Sequence, residues 1–134
     1  MNDRYLYRAN RMDNGEWVEG YYTYYPDGMD YSEDTKHVII DTSTNPGKLY
    51  FVDPSTICQC TGLKDKNGKM IWENDIVTGW FDDKRITGYI MYGSNAIFFI
   101  ERKGLYGIHL DNSQDWLEVI CNIFDNPELL EVEE

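Results

Sequence analysis

Asn14-Gly15-Glu16-Trp17-Val18-Glu19-Gly20-Tyr21-Tyr22-Thr23-Tyr24-Tyr25 is the stretch that decides the fold class. From Trp17 to Tyr25 most positions are aromatic or β-branched, which suits a pleated, partly buried surface. Asn-Gly ahead of this run is a hairpin signal, because both residue types accept positive φ. Upstream, Tyr5, Tyr7 and Ala9 alternate with Leu6 and Arg8 and predict the partner strand. Downstream, Pro26-Asp27-Gly28 ends the run with turn chemistry. The run is aromatic on both sides: Trp17, Tyr21 and Tyr25 fall on one face, and Val18, Tyr22 and Tyr24 on the other. A half-buried hairpin is polar on one side. Either the rest of the chain covers both faces, or one face is an exposed patch that meets a partner. Trp17, Tyr21, Tyr22, Tyr24 and Tyr25 are therefore the candidate interface residues.

Outward from the hairpin the pattern stays β. His37 to Asp41 and Leu49 to Val52 read as strands, separated by the turn-rich Asn45-Pro46-Gly47, and residues 30–36 read as loop. Asp53 is placed to accept backbone amides in the next turn. Cys58-Gln59-Cys60 reads as strand and Thr61 to Gly68 as turn. Ile76 to Phe81, Ile86 to Tyr92, Ala96 to Glu101 and Leu105 to Leu110 form a meander with short polar connections. Asp111 to Trp116 predicts a helical turn, Leu117 to Phe124 a last strand. Asn126-Pro127 opens a short helix, with Asn126 as cap and Pro127 at the first helical position. Five strands with a helical turn before the last resemble an SH3-like small barrel. The expected fold is mainly β: antiparallel hairpins plus an SH3-like small barrel and a short C-terminal helix. Residues 1–60 are read as an N-terminal β-hairpin lobe, 61–124 as the barrel module, and 125–134 as a short helix with an acidic tail.

Composition bounds the function. The 134 residues are 42% hydrophobic and 15% aromatic, enough for a packed core. The net charge is −12, and residues 111–134 hold eight acids and no base. An acidic surface repels phosphate backbones, so nucleic-acid binding is disfavoured. Lys64, Lys66 and Lys69 cluster, but Asp65 sits among them, and they read as a solvated loop. No apolar run approaches the ~20 residues that span a bilayer. The N-terminus lacks a signal-peptide stretch. Three cysteines without framework spacing suit a reducing cytosol.

No catalytic constellation is legible. His37 and His109 belong to no motif, Ser94 sits in a tight turn, and Asp82-Asp83 before Lys84-Arg85 reads as a solvent-facing turn. Gly62 to Gly68 has glycine and lysine without the spacing of a phosphate loop. Cys58, Cys60, Cys121 and His109 carry donor atoms for a zinc site, but no Cys-x-x-Cys pair exists, and the thiols read as small buried hydrophobes. No catalytic residue, metal or cofactor is expected.

Thr61-Gly62-Leu63-Lys64-Asp65-Lys66-Asn67-Gly68-Lys69 followed by Ile71-Trp72-Glu73-Asn74-Asp75-Ile76-Val77 resembles the central signature of the YopX family of phage and prophage proteins. Tyr7-Arg8-Ala9 with Asn14 to Tyr21 looks like the family's start, and Leu117 to Leu130 like its end. The family usually has Gly where this chain has Asn74 and Cys121, and an aromatic where it has Cys60. Asn accepts the left-handed conformation such a turn requires, and the cysteine departures weaken any family-wide metal role. The resemblance implies a phage or prophage setting in a bacterial cytoplasm and no particular activity, so no site residue carries over. The leading expectation is a non-enzymatic binding or self-assembling protein, with homo-oligomerisation its simplest form. One alternative is an acidic regulator that mimics nucleic acid towards a basic host protein. The other is an enzyme of unrecognised type, which would need a pocket uniting Asp82, Asp83 or His109.

Overall fold

The computed structural model describes residues 5–93, 97–102, 105, 107–110 and 112–131. The chain divides into two compact units, Met1–Cys60 and Thr61–Glu134. Among the described residues both are built from antiparallel strands, so the fold is mainly β.

The first unit holds β1 (Tyr7–Asn10), β2 (Trp17–Tyr24), β3 (His37–Asp41), β4 (Lys48–Phe51) and the start of β5 (Cys58–Lys64). Their order is β4-β3-β2-β1-β5. β1 faces β2 with Ala9 opposite Val18, and β2 faces β3 with Tyr22 opposite Ile39. The connection at Asn14-Gly15 is longer than a two-residue turn. Gly15 takes φ +73° and Asn14 does not enter the left-handed region. The Asn14 side-chain oxygen instead accepts the Glu16 N–H at 2.9 Å, and the Arg11 N–H donates to the Glu16 carbonyl at 2.8 Å. A side chain that satisfies the backbone two residues on competes with the tighter turn.

Residues directly opposed on a ladder share a face. One face of this sheet buries Ala9, Ile39 and Val52, flanked by Tyr7, Val18, Tyr50 and Ile57. The other carries Val38, Cys58 and Cys60, all fully buried. That double burial accounts for a hairpin without a polar side. Asp53 accepts the Ser55 N–H at 3.0 Å and caps the 3-10 turn Pro54–Thr56. The loop after β2 contains a second 3-10 turn, Glu33–Thr35, with Thr35 buried.

In the second unit the end of β5 pairs with β6 (Met70–Trp72). Then come β7 (Asp75–Phe81), β8 (Lys84–Tyr92), β9 (Phe98–Glu101), β10 (Ile108–His109), the helical turn α1 (Ser113–Trp116) and β11 (Glu118–Asn122). The order is β10-β9-β8-β7-β11, a meander whose last strand returns to pair with its first. Five strands with a helical turn before the last are present in the expected sequence, but β10 and β11 remain sheet edges and the barrel is not closed. β7 and β8 turn at Asp82-Asp83, both in the left-handed region (φ +54° and +64°). The expected strand start at Ala96 lies outside the described residues. The core is Ile71, Val77, Ile86, Ile90, Phe98, Ile100, Leu110, Leu117 and Val119, with Ile108 and Trp116 packed against it.

The expected short C-terminal helix is present as a 3-10 helix, Pro127–Glu131. The Asn126 side chain does not cap it in the expected way: its oxygen accepts the Cys121 thiol at 2.8 Å and its amide donates to Glu128 at 2.9 Å. The tail beyond Glu131 lies outside the described residues. Among them no helix is long and apolar enough to cross a membrane.

Candidate functional site

Three regions hold the residues singled out in the sequence. The first is the Thr61–Val77 signature, and its chemistry is directed inward. Asp65 is 2% exposed and sits at the turn between β5 and β6. One carboxylate oxygen accepts the N–H groups of Asn67 and Lys69, both at 2.9 Å, and the other accepts the Val119 N–H at 2.9 Å. Burial alone would raise the Asp65 carboxyl. The amides of Val119, Lys69 and Asn67, with the Lys69 charge, outweigh it and hold the group below the usual carboxylate range. Gly68 takes φ +79° to close the turn, and the Lys66 N–H reaches the Leu117 carbonyl at 2.8 Å. Further on, Asn74 takes φ +71°, the left-handed conformation anticipated for it. Its N–H donates to Ile90 at 2.8 Å and its carbonyl accepts from Ile123 at 3.0 Å. Buried Asp75 accepts the Trp72 N–H at 2.8 Å. These residues fasten β11 and β8 around a turn. Lys64, Lys66 and Lys69 are exposed.

The second region is the aromatic hairpin. Trp17, Tyr21, Tyr22 and Tyr25 are half-buried, and Tyr24 is 50% exposed. The Arg8 guanidinium lies 4.9 Å from the Trp17 ring centre. Tyr22 pairs with Tyr7 at 5.6 Å and stacks on His37 at 5.9 Å, and its hydroxyl lies 2.6 Å from His37 Nδ1. Burial, followed by the neighbouring Tyr24 and Tyr7, pushes the Tyr22 hydroxyl up from its ordinary value. Most of this ribbon is engaged within its own sheet.

The third region lies where the second unit's sheet stays open. Strand alternation sets Val77, Gly79 and Phe81 on the core face of β7, opposite Ile86 and Gly88 of β8. Ile90 of β8, Ile100 of β9 and Ile108 of β10 continue that face. At the tip of the β7–β8 hairpin the apolar stripe ends on Phe81, 45% exposed, and the neighbouring Trp80, which alternation turns to the other face, is 66% exposed. Trp116 of α1 lies against Gly79 and its ring centre is 5.3 Å from that of Phe81. The result is an open groove of ≈ 690 Å³ at the mouth of the unclosed barrel. Trp80, Phe81, Trp116 and Ile108 supply its apolar lining, and Asp82, Arg102, His109 and Asn112 its polar lining. A carboxylate, a guanidinium and an imidazole thus share one concave surface.

Asp82 and His109 are brought together here, while Asp83 is at the same turn without lining the groove. Trp80, Phe81 and Trp116 were not legible as a site. Their signal was present in Trp80-Phe81 directly before a two-residue turn, where alternation forces one of two adjacent aromatics away from the core. Cys58 and Cys60 are buried, and the Cys58 thiol donates to the Thr56 carbonyl at 3.2 Å. Among the described residues no cluster of three His, Cys, Asp or Glu side chains is placed to hold a metal ion.

Comparison with known proteins gives two findings and one absence. The chain is similar to the crystal structure of protein EF1440 from Enterococcus faecalis, with a TM-score of 0.52 and 29% identity over 92% of this chain and 96% of that one. No curated protein matches. The sequence model of the YopX protein family matches residues 6–131, nearly the whole length and a range that includes the Thr61–Val77 stretch. This chain belongs to the YopX protein family.

Proposed function

We propose that this chain is a non-enzymatic ligand-binding protein of a phage or prophage, acting in the bacterial cytoplasm through the mouth of its second unit. The observation that carries the reading is the exposure of Trp80 and Phe81 beside Trp116 on a concave surface. Two large exposed aromatics side by side at a groove, one of them ending the core stripe, are a costly arrangement unless something covers them. Barrel mouths with apolar walls and a few convergent polar groups are common ligand sites. Catalysis by Asp82 and His109 is less favoured, because so open a groove leaves both groups in water, where preorganised charge is weakened.

The test is 8-anilinonaphthalene-1-sulfonate, an apolar fluorescent probe, added to the folded chain at neutral pH. Its emission should rise on the wild type and fall several-fold with Trp80→Ala, while thermal unfolding stays within about 0.5 kcal/mol of wild type, as expected at an exposed position. Equal emission from both proteins, or none from either, removes the reading.

Self-association is the second reading. β4 is a sheet edge, its Leu49 is exposed, and Tyr24 stands half-exposed two strands away. Light scattering at micromolar concentration decides it, since a clean monomer leaves this edge without a second copy. The acidic-regulator reading is supported by the −12 charge and requires a basic host protein bound in a salt-sensitive way.

A further inference from the structure

We propose that the mouth binds a nucleotide, a planar heteroaromatic base that carries a phosphate. The inference rests on the ligand-binding reading above and names its ligand class. The argument is the mixture of chemistries on one surface. Trp80 offers a flat ring to solvent, and Trp116 continues the aromatic wall inward beside Phe81. Such rings accept the face of another planar π system, and base–aromatic stacking tolerates any base. Arg102 follows β9 and His109 closes β10, and both line the groove. A guanidinium fork matches phosphate oxygens, and an imidazole adds a donor. Asp82 and Asn112 supply an acceptor and an amide, the two types that read a base edge by hydrogen bonds.

Simpler ligands use only part of this lining. An apolar molecule would strip water from the exposed Asp82 and His109 and offer them no hydrogen bond in its place. A cation that stacks on the rings meets Arg102, and a small anion meets Asp82 and ignores the aromatics. A nucleotide engages all three sets. The base and its phosphate have two sources, a free mononucleotide or the end of a single strand. The chain's −12 charge favours the free form, because each further phosphate adds repulsion from an acidic surface.

The experiment titrates the full chain with AMP, GMP, CMP and UMP, and follows the indole N–H resonances of Trp80 and Trp116. At least one nucleotide should shift both saturably. Trp80→Ala should weaken that binding about tenfold, in line with loss of one stacked base. The matching nucleoside should bind more weakly than the nucleotide, and inorganic phosphate alone should leave the indoles unmoved. Arg102→Gln should abolish the preference for nucleotide over nucleoside, and His109→Gln should reduce it if the Arg102 variant fails to fold. A 5′-phosphorylated oligothymidine of eight residues separates the sources: weaker binding than the mononucleotide supports the free form, and binding by the oligonucleotide alone overturns the proposal. If no nucleotide moves the indoles while the fluorescent probe still depends on Trp80, the nucleotide is wrong and the ligand-binding reading stands. If the probe fails as well, both fall.

Discussion

Asp65 keeps a carboxylate inside the second unit, and three backbone amides account for it. Those three bonds give Asp65 an architectural task in the most recognisable stretch of the chain. Asp65→Asn replaces an acceptor-only group by one that turns an NH2 towards at least one of those donors. The expected cost is about 2 kcal/mol in urea unfolding, the usual range for losing a charge-assisted bond and leaving a buried donor unmatched. Asp83→Asn, at an exposed turn, should stay within about 0.5 kcal/mol. The pH dependence follows from the direction of the shift. The folded carboxyl lies below its unfolded value of ~3.9, so its contribution is complete above that pH and is lost as pH falls through the folded value. Wild type should thus lose stability in acid more steeply than Asp65→Asn, and parallel acid curves would show that the carboxylate is not the group at work.

At the scale of elements, α1 is held by what β7 lacks. A Cβ on Gly79 would lie 2.6 Å from the Trp116 carbonyl oxygen and 2.8 Å from its ring. Gly79→Val should therefore push α1 off the sheet, cost about 2 kcal/mol as an overpacked contact, and reduce the near-ultraviolet circular dichroism of Trp116. An unchanged aromatic spectrum would contradict this seating. Elements of this kind divide by how local their causes are. The β2 and β3 strands and the β7–β8 hairpin were legible because their aromatic and β-branched runs end at Gly, Asn or Asp turns. The β5–β6 pairing was not, since Thr61 to Lys69 is rich in glycine and lysine and reads as plain turn. The turn that joins these strands is held by the Asp65 carboxylate, which also reaches Val119, 54 residues away in sequence. The Asn126 helix start misread the partner, because Cys121 and Glu128 compete for that side chain. The hairpin's two-sided aromaticity left core and patch both open, and only register shows Tyr22 against His37 and Val38 buried on the opposite face. The groove was out of reach for a related reason. β7, the end of β9, β10 and α1 must meet before Trp80, Arg102, His109 and Trp116 share a surface.

For the whole molecule the main unspent force is charge. Residues Thr61–Glu134 carry fourteen acids against seven bases, and Met1–Cys60 ten against five, so each unit is acidic by two to one. Within the second unit the stretch up to Leu110 is nearly balanced, and the excess enters with α1, β11 and the segment that follows. Like charges held together destabilise a compact state, and the effect is long-ranged at low salt. At ~0.15 M salt the screening length contracts to about 8 Å, which removes most repulsion between separate surface groups. Moving from 10 mM to 150 mM sodium chloride should therefore raise the thermal midpoint by a few degrees, the equivalent of roughly 1 kcal/mol for a chain of this size. The two causes of a salt-induced rise are separable by shape. Screening acts early and flattens by about 0.5 M, whereas preferential exclusion of salt grows steadily with concentration. An early rise that levels off, reduced in a variant with Glu118 and Glu128 both changed to Gln, assigns the strain to this acidic segment. A steady rise that the double variant leaves intact places it elsewhere.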